Sequence, residues 1–250
     1  MTYTRVQVTV ENLAQTNGHS LTPLWFGIHN GTFDTYDRGR PVSPGLESLA
    51  EDGDTALIST EFDLAGFGEV QGTIGDGPIA PGATLTQTVF LNSADPTSQF
   101  FNYASMFLPS NDAFVANGNE RAHQIFDENG NFIETVIELS GNQVLDAGSE
   151  VNDEVPANTA FFGQQTPNTG MDENGVVQLH QGLQAPGSGG IVDDPMFANI
   201  NGDFPNSNDP IVRITVQEVP FANVLEGDLG NDQLFGDTEI TPCLEGQGVP

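Results

Sequence analysis

Apolar and polar residues alternate along much of this chain. "RVQVTVENL" (5–13) places Val6, Val8 and Val10 on one face, the period-two pattern of a half-buried strand. "PLWFGIHN" (23–30), "TALISTEF" (55–62), "ATLTQTVFLN" (83–92) and "QFFNYASMFLP" (99–109) are further strand-like runs. "NFIETVIEL" (131–139), "VVQLHQGL" (176–183) and "DPIVRITVQEV" (209–219) bring the set to about eight. In "NFIETVIEL", Ile133, Thr135, Ile137 and Leu139 are expected to face one way. Clusters of Gly, Pro, Asn and Asp separate the runs, as turns require. One short helix is predicted. Ser43-Pro44 can start it, and "GLESLAEDG" stops on Gly53. Many strands, long loops and almost no helix predict an all-β antiparallel sandwich. After Val219 the alternation ends, so the expected division is a β domain over 1–219 and a tail over 220–250.

Charge narrows the function classes. Of 250 residues, 35 are acidic and five are basic, all five arginine, giving a net charge of −30. Nucleic acid and anionic membrane would both be repelled. Salt adaptation, divalent-cation binding and solubility remain as reasons for the acidity. The apolar fraction of 37% can fill a core. Cys243 is the single cysteine, which excludes an intrachain disulfide framework and a cysteine zinc cluster. No apolar run approaches the roughly 18 residues of a membrane span, so no membrane insertion is expected. "MTYTRVQVTVENL" opens directly on a strand pattern without an apolar signal region. The chain is then cytosolic, or processed, or exported by a C-terminal address.

Few motifs carry chemistry. In the tail, "EGDLGNDQLFGD" follows the nine-residue register of calcium-binding RTX repeats at Gly227, Gly230, Asp232 and Leu234, restarting at Gly236. One and a half repeats cannot build a β-roll. The segment is either a truncated RTX element or a Gly/Asp-rich flexible tail. Two "DENG" stretches, 127–130 and 172–175, suggest EF-hands, but Val136 and Gln181 stand where the closing Glu belongs. Both read as turns, the first as a hairpin. H-E-x-x-H, G-x-S-x-G and the phosphate-binding G-x-x-x-x-G-K-S/T are all absent. His19, His29, His123 and His180 are far apart in sequence. A carboxylate pair for hydrolysis stays open among so many acids.

The densest acidic stretch is "VLDAGSEVNDE" (144–154), with no lysine or arginine nearby. Asp146 and Glu150 are four apart with Gly148 between, which lets the backbone fold back and both carboxylates converge. Asp112 lies upstream in "FLPSNDAFVAN" (107–117), just after a strand-like run. Calcium takes six to eight oxygens at about 2.3–2.6 Å, and two loops carrying three acids would suit it. The alternative is two solvated acidic loops.

The same residues carry a family resemblance. "PSND" resembles the P-S-P-D that follows a strand in spondin-type domains, the N-terminal modules of F-spondin and mindin. "DAGSE" resembles that family's D-A-G-T-D. "SPGLESLAEDGD" (43–54) resembles its S-x-G-x-x-x-L-A-E-x-G segment, and "TPLWFGIHNGTFDTYDRGRPVS" (22–43) stands where the family has its first apolar strand. The resemblance implies a C2-like sandwich with calcium in loops at one end, held by Asp112, Asp146 and Glu150. It also implies a secreted or cell-surface adhesion module, not a catalyst. Its ligand would be extracellular matrix, a surface glycan or a cell-surface protein. Asn111 replaces the family's proline, the following aromatic moves to Phe114, and Glu150 replaces an aspartate. Asp153 and Glu154 have no counterpart and are expected to face water. Two other readings stand beside this one: a homo-oligomeric filament or sheath subunit joined by strand addition, and a secreted hydrolase with a carboxylate site.

Overall fold

The computed structural model describes residues 3–220, together with the backbone of 233–235 and 240–242. Two antiparallel sheets face each other. The smaller has the order β5-β1-β11-β8, from β5 (Thr84–Asn92), β1 (Tyr3–Asn12), β11 (Pro210–Glu218) and β8 (Thr135–Ser140). The larger runs β10-β9-β7-β6-β3-β4, with β2 paired to β6. Its strands are β2 (Ser20–Leu21), β3 (Leu24–His29), β4 (Gly68–Ile74), β6 (Phe100–Leu108), β7 (Ala113–Ala116), β9 (Leu145–Asp146) and β10 (Gln178–Leu179). The fold is the expected all-β sandwich, with two helices added.

Alternation sets the register. Val6, Val8 and Val10 of β1 are fully buried, and β1 pairs with β11 so that Val8 faces Val216 and Val10 faces Ile214. These side chains meet Phe26, Ile28, Phe101, Tyr103 and Phe107 of the larger sheet in the main core. Each such residue contributes about 1.5–3 kcal/mol by leaving water. β3 is buried on both faces. Leu24, Phe26 and Ile28 enter the inter-sheet core, whereas Trp25 enters a second core beneath the helices.

That second core corrects the helix count. α1 (Pro44–Asp52) forms as expected: the Ser43 hydroxyl accepts from Leu46 N at 3.2 Å, Pro44 opens the first turn, and Gly53 ends it at φ 69°. α2 (Ala56–Ala65) covers most of the "TALISTEF" segment read as a strand. Its buried residues are Ile58 and Phe62, four apart, a helical spacing that a short apolar run hides. Leu46, Leu49, Ile58 and Phe62 pack with Trp25 and Phe114 on the outer face of the larger sheet.

Two other expectations shift. "NFIETVIEL" is a strand only from Thr135, and Ile133 is exposed rather than aligned with Ile137 and Leu139. "VVQLHQGL" shrinks to the two residues of β10. β4 and β7 were not foreseen. Beyond Pro220, β12 (Gln233–Phe235) pairs antiparallel with β13 (Ile240–Pro242). The RTX-like positions Gly227, Gly230, Asp232 and Gly236, and Cys243, lie outside the described residues. No helix among the described residues is long and apolar enough to cross a membrane.

Candidate metal centre

β6 delivers the chain to the first acidic loop. After the cis Leu108–Pro109 peptide, the Ser110 hydroxyl donates to Phe107 O at 2.6 Å and accepts from Ala113 N at 3.1 Å. This closed turn sets Asp112 at the head of β7. β9 pairs with β7, Ala113 opposite Asp146, and Ala147 N donates to Asp112 O at 3.2 Å. Asp112 and Asp146 thus stand near each other at one end of the larger sheet. Gly148 then turns the chain back at φ 68°, and a Cβ there would stand 2.5 Å from Val176 N. A side chain is excluded by backbone conformation and by space together.

The turn sets the Glu150 amide against Asp112 Oδ2, while the Glu150 carboxylate reaches the Gly170 amide. The three residues are 0%, 2% and 2% exposed for Asp112, Asp146 and Glu150. Asp112 Oδ2 accepts from Ser149 N at 2.9 Å, Glu150 N at 3.1 Å and Ser149 Oγ at 3.3 Å. Asp146 Oδ1 accepts from Gly148 N, and Oδ2 from Asn152 Nδ2, both at 2.8 Å. Glu150 Oε1 accepts from Gly170 N at 2.8 Å. Two oxygens are left over. Asp112 Oδ1 and Glu150 Oε2 are buried with no hydrogen-bond partner. A buried carboxylate oxygen without a donor is costly and needs an explanation.

Electrostatics sharpens the point. Burial, and then the Asp146 charge, push the Asp112 carboxyl up to about 7, against the pull of the loop amides. Burial, and then the Glu51 charge, push Glu150 up to about 8. Asp146 is raised by burial, with Glu173 adding to the effect. Among the described residues the only ion pairs join Arg213 to Glu11 and Glu138, both in the smaller sheet. No cation among the described residues forms an ion pair with the buried acids.

Sequence reasoning missed Glu51. It sits in the last turn of α1, 4% exposed, and shares Ser149 as a hydrogen-bond partner with Asp112. Burial, opposed by that bond and reinforced by Glu47, Asp52 and Asp172, raises it to about 7. The available signal was the "LAEDG" end of the helix: Glu51 follows buried Leu49 and Ala50 and shares their burial.

Asp153 and Glu154 correct another expectation, because neither simply faces water. Asp153 accepts from Asn111 Nδ2, Val155 N and Asn158 Nδ2. Glu154 is 5% exposed and accepts from the amides of Gln184 and Ile191. Both fasten the loop. The first "DENG" closes a turn, with Gly130 N donating to Asp127 O at 3.0 Å. The second docks on the acidic loop through Glu173 N to Ser149 O and Gly175 N to Gly148 O.

The histidines stand against aromatic rings. His19 and His180 both lie against Phe204, with ring centroids at 5.1 and 5.2 Å, and His29 and His123 sit beside Phe33 and Tyr103. Among the described residues, no three His, Cys, Asp or Glu side chains stand together at metal-ligand spacing. The carboxylates are instead turned onto their own loop amides. Carboxylate oxygens of this kind are donors for hard cations rather than soft metals. Comparison with protein-family patterns and with curated proteins gives no match.

Proposed function

We propose that this chain is a calcium-stabilised, non-catalytic binding module that acts outside the cell or on its surface. Its ligands would be matrix, surface glycan or a cell-surface protein. The observation that carries the reading is the pair of buried, unpartnered oxygens, Asp112 Oδ1 and Glu150 Oε2, on acids that form no ion pair among the described residues. Asp112, Asp146 and Glu150 would hold the ion once their oxygens exchange loop donors for the cation. Loops at one end of a C2-like sandwich are suited to this, because their position is fixed by β6, β7 and β9. The resemblance of "PSND" and "DAGSE" to spondin-type domains supports the same three ligands and the adhesion role.

The test is thermal unfolding of the full chain at matched ionic strength. Calcium at one hundred times its dissociation constant stabilises by about 2.7 kcal/mol, which for a domain of this size raises Tm by about 5–10 °C. Magnesium should act less, since it gives up its waters reluctantly. Asp146→Asn removes an anionic ligand at nearly constant size and should abolish most of the shift. Asp76→Asn, in an exposed turn between β4 and β5, should leave it intact. Equal behaviour of the two variants would mean diffuse screening and no site.

A further inference from the structure

We propose that a second site, a cleft of about 630 Å³ between the two sheets, binds a neutral oligosaccharide. The inference rests on the binding-module reading for its class of partner but not on calcium. The cleft opens between β8 and the β6–β7 region, and Asn117 at its wall lies at the opposite end of β7 from Asp112, about 16 Å along the strand. Its size falls within the range of small-molecule sites, roughly 300–1,000 Å³.

The walls are pre-organised. Asn102, fully buried, donates to Phe33 O at 2.9 Å and Thr35 Oγ1 at 3.0 Å, and accepts from Asn117 Nδ2. Asn117 Nδ2 also donates to Asn119 O at 2.9 Å, which holds the loop that forms one rim. Tyr36 is fixed against the edge of Phe114, ring centroids 5.6 Å apart at 90°. Gly118 lies against its ring so closely that a Cβ would stand 2.4 Å from Cζ. An aromatic ring held in this way is a platform on which the apolar face of a sugar can stack.

The cleft also offers unused hydrogen-bonding groups. Tyr103 is 2% exposed, its ring belongs to the main core, and its hydroxyl has no partner among the described residues although the side chain lines the cleft. The imidazole of His123 beside it, the side-chain nitrogen of Asn119 and that of Gln143 likewise have no partner among the described residues. Together with Tyr36 they make a set of phenol, imidazole and amide groups around aromatic and aliphatic surface, which matches the alternating C–H faces and hydroxyl edges of a sugar. Charge selects a neutral one. Glu138 is held by Arg213 at 2.7 Å and Arg38 sits on the Tyr36 phenol, and the chain's net −30 repels polyanions.

A glycan array carrying neutral, N-acetylated and uronic-acid saccharides, probed with the full chain, tests this. Binding should fall on neutral or N-acetylated oligosaccharides. Tyr103→Phe, which removes only the hydroxyl, should weaken it about fivefold, the weight of one hydrogen bond, and Tyr36→Ala about tenfold through lost stacking. Both variants should unfold cooperatively with a Tm close to that of the unaltered chain, which shows that they fold. No glycan bound, binding confined to acidic glycans, capture of peptides alone, or affinity unchanged in both variants would each overturn the cleft assignment. Loss of the calcium response with glycan binding intact would overturn the metal reading alone.

Discussion

Glu154 joins two loops through one buried carboxylate. Its oxygens accept from the amides of Gln184 and Ile191, and its own N–H donates to Asn111 Oδ1 at 3.2 Å. Glu154→Ala would leave two amides unpaired in a buried place, at a cost of about 3 kcal/mol. The drop in unfolding free energy should be the same with and without calcium, which separates a structural acid from a ligand. Glu51 should behave oppositely. Its charge faces Glu150 with no cation between them. Glu51→Gln removes that repulsion, so Tm in chelator should rise while the calcium-induced increment shrinks. A fall in chelator Tm would show that Glu51 is held mainly by its bond to Ser149. The composition of "VLDAGSEVNDE" disclosed an unusual loop, but not which acids were pinned. That depends on Gly170, Gln184 and Ile191, whose amides arrive from segments remote in sequence.

The elements were legible where one face met the core and the other met water. β1 and β11 alternate cleanly because they lie inside a sheet with one solvated face. β3 is buried on both faces, so it shows as an apolar run without a period. α2 was misread because Thr, Ile and Phe favour strands, while the signal that mattered was the four-residue spacing of Ile58 and Phe62. β4, "GEVQGTI", was hidden by its glycines. A Cβ at Gly68 would stand 2.3 Å from the Phe62 ring, and one at Gly72 2.7 Å from the Phe26 ring. Those glycines are what lets large rings close over the sheet. The junction of the two helices is tight in the same way. Gly53 has φ 69°, and a Cβ there would meet Thr22 Cγ2 at 2.4 Å. Gly53→Ala combines a disfavoured backbone with a clash and should cost about 2 kcal/mol. Thermal unfolding of the variant checks it, and an unchanged midpoint would mean that the junction yields freely.

At the scale of the whole molecule, charge and burial oppose each other. A net charge of −30 should make added sodium chloride raise Tm from low to near-molar salt, through screening alone. Proton binding adds a dependence that calcium should reshape. Burial holds His19, His29 and His180 down to about 4, from an ordinary 6.5. The unfolded chain takes up these protons below about 6.5 and the folded chain does not. Their contribution is therefore complete above 6.5 and is lost as pH falls toward 4, on the order of 3 kcal/mol for His19. The acidic cluster runs the other way. Asp112 and Glu51, raised to about 7, and Glu150, raised to about 8, bind protons in the folded state at pH values where the unfolded chain does not. Without metal, stability should rise as pH falls from above 8 to about 6.5, then level off as the histidines begin to act. With saturating calcium the three proposed ligand carboxylates stay ionised against the ion, and most of that rise should vanish. The calcium-induced increment in Tm should accordingly be largest near pH 8 and shrink steadily toward pH 5.5. A series of unfolding curves at constant ionic strength, with calcium and with chelator at each pH, measures it. An increment of constant size across that range would place calcium on ordinary exposed acids, which are fully ionised throughout, and would remove the buried cluster from the account.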